Sequence, residues 1–180
     1  MNISEQLDLI LETLQSKGFS PDLNPGLSEQ QLEELQGNFG FPFPSQLKSL
    51  YRWRNGCKDP YADIEESFNF RDMPFLSADA SHSELKGLRE FVASFETFGS
   101  KFSDFEIDKI VPIAAFDGAW YVIPVSNHKY ADVSEHPVVS VGEETAVHFL
   151  SLERMLLTTL EWVRDPEYSC LLYTSPSPRD

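Results

Sequence analysis

The sequence predicts an α+β domain, with helices leading, a largely antiparallel sheet following and one helix closing the chain. Three observations carry that prediction. Apolar residues recur at spacings of three and four up to Trp53 and again after Ser151. From Ile110 the period falls to two. Only Asp117-Gly118 stands between the first two β-rich runs, and a type I′ hairpin turn favours that pair because both of its central residues take positive φ.

Taken in order, residues 2–17 form an amphipathic helix with Ile3, Leu7, Ile10, Leu11 and Leu14 along one side. Asn2 caps it and Glu5 completes the capping box. Gly18, Pro21, Pro25 and Gly26 predict a loop. Residues 27–56 organise the chain around two helices. Ser28 with Gln31 is a second capping box, and Leu27 with Leu32 a hydrophobic staple. Leu32, Leu35 and Phe39 share a face, and Gly37 and Gly40 end the helix. Pro42 and Pro44 frame the turn. Leu47, Leu50, Tyr51 and Trp53 form the next apolar face, and Asn55-Gly56 provides a left-handed helix exit.

Residues 57–66, CKDPYADIEE, predict a polar surface loop. Phe68 and Phe70 alternate with polar neighbours in a short strand that Pro74 closes. Ser81 with Glu84 is a third capping box, with Leu85, Leu88, Val92 and Phe95 at helical spacing up to Gly99. An acidic connector follows. Ile110–Phe116 and Ala119–Val125 make the first hairpin, and Val138–Val141 and Ala146–Phe149 a second across GEET. Ser151 caps the last helix, whose Leu152, Met155, Leu156, Leu160 and Trp162 or Val163 face the core, and Asp165-Pro166 ends it.

A length of 180 residues suits one domain. Such a chain buries about two-thirds of its unfolded surface, so it needs neither disulfide nor metal to fold. The formal charge is −15 and the sequence pI about 4.5. That excess argues against nucleic acid, which requires a basic footprint, and against an anionic membrane surface. It favours a basic partner, with plain solubility as the competing reading. The start MNISEQLDLILETL has no basic n-region and carries Glu5, Asp8 and Glu12, and no window is apolar enough to span a bilayer, so a cytoplasmic location is expected.

No residue pattern singles out catalysis, and no cofactor is expected. His82, His128, His136 and His148 fit no metal spacing. His148 lies between Val147 and Phe149 and points away from both on a strand, which makes it a surface histidine. Cys57 has no nominated base or oxyanion hole, so it is a small, nearly buried residue. There is neither G-x-S-x-G nor a phosphate-binding glycine loop. The candidate partner-binding residues are the acidic group Asp59, Asp63, Glu65, Glu66 and Asp72, with Tyr61 among them as an aromatic anchor. A solvated acidic loop explains the same residues. Asp104, Glu106 and Asp108 compete for the role, and lack the glycine and terminal Glu of a calcium loop.

Two resemblances complete this reading. Over residues 24–163 the chain resembles the SUKH superfamily, named in part for fungal regulators of cell-wall and glucan synthesis. The resemblance rests on Gly26-Leu27-Ser28, the Leu32/Leu35 face, Gly40-Phe41-Pro42-Phe43-Pro44 and the run Leu47, Leu50, Tyr51, Trp53, Asn55-Gly56. Val111-Pro112-Ile113, Asp117-Gly118, Pro137-Val138-Val139 and Ser151-Leu152-Glu153 extend it. Phe43 stands where the family usually has Leu. The resemblance implies binding without catalysis. Bacterial members are cytoplasmic immunity proteins that bind a cognate toxin, often a nuclease, and eukaryotic members are scaffold or regulatory subunits. Separately, Cys170–Asp180, CLLYTSPSPRD, resembles the translation of a common sequencing adapter. One domain over 1–169 with a non-native tail over 170–180 is therefore expected, a native Ser/Pro tail being the alternative. Without Cys170 only Cys57 remains, and no internal disulfide forms.

Overall fold

A computed structural model describes residues 1–60, 67–71, 73–94, 106–125, 136–142 and 145–165. Five helices lie among them: α1 (Ile3–Ser16), α2 (Glu29–Phe39), α3 (Ser45–Trp53), α4 (Ala78–Ser94) and α5 (Leu152–Arg164). The strands are β1 (Leu23–Pro25), β2 (Arg54–Cys57), β3 (Asn69–Phe70), β4 (Met73–Pro74), β5 (Ile110–Phe116), β6 (Ala119–Pro124), β7 (Val138–Val141) and β8 (Ala146–Phe149). Every strand pair is antiparallel, as the α+β reading requires.

The main sheet runs β5-β6-β7-β8. Asp117 (φ 46°) and Gly118 (φ 75°) make its first turn, and Phe116 pairs with Ala119. Two small sheets, β1-β2 and β3-β4, are sewn to its β5 edge through Phe75 and Leu76. The Phe75 N–H donates to Phe68 O at 2.9 Å, the Cys57 N–H donates to Phe75 O at 2.9 Å, and the Leu76 N–H donates to Ile113 O at 3.0 Å. A pair of two-residue strands is marginal alone. Here Phe68, Phe70 and Phe75 are fully buried with Tyr51 beside them. Burying each such ring contributes about 2–3 kcal/mol, an upper estimate, and that is enough to hold the short pairs in place.

Helices α1 and α5 pack together, α1 also meets α3, and α4 lies on β5. Two of the three predicted capping boxes form, Asn2 with Glu5 and Ser28 with Gln31, and Ser151 caps α5. Leu7, Ile10, Leu32, Leu47, Leu50, Val122, Val139 and Leu156 belong to one continuous core. Polar links cross it at its margins. The Trp53 Nε1–H donates to Asp8 Oδ1 at 2.7 Å, and the Trp120 Nε1–H donates to Glu84 Oε2 at 2.7 Å. Gln46 ties α3 to two distant segments, donating to His136 O at 2.9 Å and accepting from the Leu152 N–H at 3.2 Å.

Four local expectations are corrected. Residues 23–25 form a strand rather than a loop, and Pro25 is tolerated there because β1 is an edge strand. Asn55-Gly56 is not a helix exit, since α3 runs straight into β2 with Arg54 extended (φ −152°, ψ 149°). Pro74 does not close a strand but lies in β4 opposite Asn69. Helix α4 begins at Ala78, so Ser81 is no cap. It lies one turn inside, fully buried, and its hydroxyl donates to Pro112 O at 2.5 Å. The helix start is instead held by Asn55 Oδ1, which accepts from the Ala78 N–H at 2.8 Å, and by Ser77 Oγ, which accepts from the Ala80 N–H at 3.2 Å. Ser67 and Asn69 are also buried, so the segment around β3 is covered on both faces. Phe95 and Gly99 lie outside the described residues, as does the side chain of Val92.

Candidate partner-binding surface

Cys57 and Phe68 flank the acidic stretch in sequence, and these two residues clasp each other. The Phe68 N–H donates to Cys57 Sγ at 3.3 Å, and the thiol donates back to Phe68 O at 3.5 Å. Asn24 Nδ2 donates to Cys57 O at 3.1 Å and to Asn55 O at 3.0 Å, fixing the outgoing strand. Burial pushes the Cys57 thiol up, partly offset by backbone hydrogen bonds at Phe68 and Phe75. A neutral, enclosed thiol is a poor nucleophile, so this cysteine serves packing.

Asp59 is exposed at the start of the loop. Lys58 is engaged by Asp22, with a 2.7 Å ion pair and a 2.9 Å bond from its N–H to Asp22 O. Tyr61, Asp63, Glu65, Glu66 and Asp72 lie outside the described residues. Two residues of the second acidic cluster form ion pairs. Glu106 pairs with Lys109 at 2.5 Å and Asp108 with Arg89 at 3.0 Å. Such exposed pairs add little stability, but they cancel the local charge a basic partner would read. Asp104 lies outside the described residues.

The described histidines have different neighbours. His82 stands edge-on to Phe39 at 5.4 Å, and His136 Nδ1 lies 3.2 Å from Pro124 O. His148 is exposed on β8, as expected, but its ring lies 4.7 Å from that of Phe149 and 5.4 Å from that of Tyr121. His128 lies outside the described residues. No group of three metal-ligating side chains occurs among the described residues. Nor is any described helix long and apolar enough to cross a membrane. Tyr51 is fully buried, and burial raises its hydroxyl well above the ordinary value, with the Ser81 side chain pulling the other way.

One feature was not anticipated. A cavity of about 370 Å³ opens where the end of β3 meets β8 and α5. Phe70, Arg71, His148, Phe149, Met155 and Trp162 are among its lining residues. They come from the end of β3 and from the consecutive elements β8 and α5, far apart in the chain. The only local hint was the outward alternation of His148.

Residues 26–157 match the model of the SMI1 / KNR4 family (SUKH-1), well over half of the chain. No curated protein matches the sequence.

Proposed function

The chain belongs to the SMI1 / KNR4 family (SUKH-1), and on that premise we propose that it is a non-catalytic protein-binding domain acting as a cytoplasmic immunity protein. The family match is the observation that carries the reading. The charge of −15 supports it, because a strongly acidic protein draws a basic toxin toward it faster than diffusion alone. The binding surface in this reading is the loop bearing Asp59, Tyr61, Asp63, Glu65 and Glu66, together with Asp72. The bonds between Cys57 and Phe68 hold the two flanks of this stretch together, which supports the reading. Tyr61 supplies the apolar anchor and the carboxylates supply steering.

Co-expression with the product of the adjacent open reading frame tests the proposal. Protection of the cells, together with a stable complex of the two proteins, is the expected result. Equal killing with and without this chain removes the immunity role. A regulatory scaffold bound to a host protein would then be the reading to pursue.

A further inference from the structure

The cavity between β3, β8 and α5 has the attributes of a ligand site, and we propose that it binds a small carboxylate carried on an aromatic body. This goes beyond the partner-binding surface, from which it is chemically distinct. A volume of about 370 Å³ falls within the range of small-molecule sites. Of its apolar lining, Phe149 and Trp162 are partly exposed and suit a flat apolar body, while Phe70 and Met155 are buried.

The polar end is set by Arg71. Arg52, Lys58, Lys86, Arg89 and Lys109 are each paired with a carboxylate. Arg71 makes no ion pair among the described residues, although the protein carries an excess of acid. Its nearest polar contact is His148 Nε2, 3.4 Å from one guanidinium nitrogen. A guanidinium can only donate, so the ring nitrogen accepts, and the other N–H groups of the fork remain for an oxyanion. Thr158 and Thr159 also line the cavity, but their hydroxyls donate to Arg154 O at 3.1 Å and to Met155 O at 2.9 Å within their own helix. Arg71 is therefore the cationic donor of the site.

Arg71 sits at φ 66° in the two-residue turn between the paired Phe70 and Met73, where a tight hairpin favours positive φ, and that turn places its side chain at the end of β3. A single planar fork matches one carboxylate in bidentate fashion, whereas a nucleotide's phosphates call for several cations.

Titration of the full chain with phenylacetate and indole-3-acetate, each beside its neutral amide, tests the site by backbone-amide NMR. Both acids should bind with shifts centred on Phe70, Phe149 and Trp162, and their amides about tenfold or more weakly. Arg71→Ala should erase the preference for acid over amide while the spectrum stays folded. Thr158→Trp, at an exposed position on the cavity wall, should abolish both. Equal binding of acid and amide, a preference that survives Arg71→Ala, or no shifts at the cavity with either acid would overturn the proposal.

Discussion

The Asn55 side-chain oxygen accepts a hydrogen bond from the Ala78 backbone N–H at 2.8 Å and so caps helix α4 from a strand 23 residues earlier. The same Asn55 holds the Asn24 side chain through its carbonyl. The Asn-Gly corner thus joins β1, β2 and α4. Replacing Asn55 with Ala should lower stability by about 1–2 kcal/mol, the usual cost of a lost cap. Asn55→Asp keeps an acceptor at a helix N-terminus and should cost less than half as much. Urea unfolding at neutral pH measures both, and equal losses would mean that the oxygen is not the important group.

Gly56 is required by its surroundings. At φ 69°, a Cβ would lie 2.2 Å from Ser77 N and 2.3 Å from Leu76 C, all backbone that cannot swing away. Gly56→Ala should therefore cost about 3 kcal/mol or more. Gly87, inside α4, has nothing within 4 Å of the added methyl. Gly87→Ala should stabilise by about 0.5–1 kcal/mol. Opposite signs in thermal unfolding are the expected outcome.

Stability should fall in alkali. Burial raises both the Cys57 thiol and the Tyr51 hydroxyl. The unfolded chain releases these protons near pH 8.5 and 10, while the native chain keeps them. Above those values the unfolded state binds fewer protons, so stability drops by up to about 1.4 kcal/mol per pH unit for each group. Below both values the groups are protonated in either state and their contribution is complete. Tyr51→Phe should flatten the loss above about pH 10, and Cys57→Ala the earlier part. Unchanged slopes in both variants would contradict the burial argument.

Charge on the acidic loop should govern encounter. Reversal of Asp63, Glu65 and Glu66 to Lys should slow association with a basic toxin by about tenfold at low salt, with a smaller effect at high salt. Reversal of Glu106 and Asp108, already paired with Lys109 and Arg89, should change the rate far less. Stopped-flow measurements at two ionic strengths separate the surfaces.

Much of the fold was legible because its signals are local. The Asn2/Glu5 and Ser28/Gln31 boxes, the Asp117-Gly118 turn and the Ser151 cap each form between residues no more than a few positions apart. The same logic misplaced α4. Ser81-x-x-Glu84 has the spelling of a capping box, yet Ser81 bonds to Pro112 and Glu84 to Trp120, both on the sheet. Of the acidic candidates, Asp59 is exposed, and charge alone could not reveal that Glu106 and Asp108 pair with Lys109 and Arg89.

Periodicity, punctuation and net charge were enough to establish the helices, the hairpins, the α+β class and the acidic character, because each is written in neighbouring residues or in a sum over the chain. The order of motifs also pointed to the family. Packing alone decided why Asn55 and Gly56 stand together, and why Arg71 meets His148 across 77 positions. Contacts at such separations exist only after the chain has closed its long loops, and no short stretch of sequence encodes them.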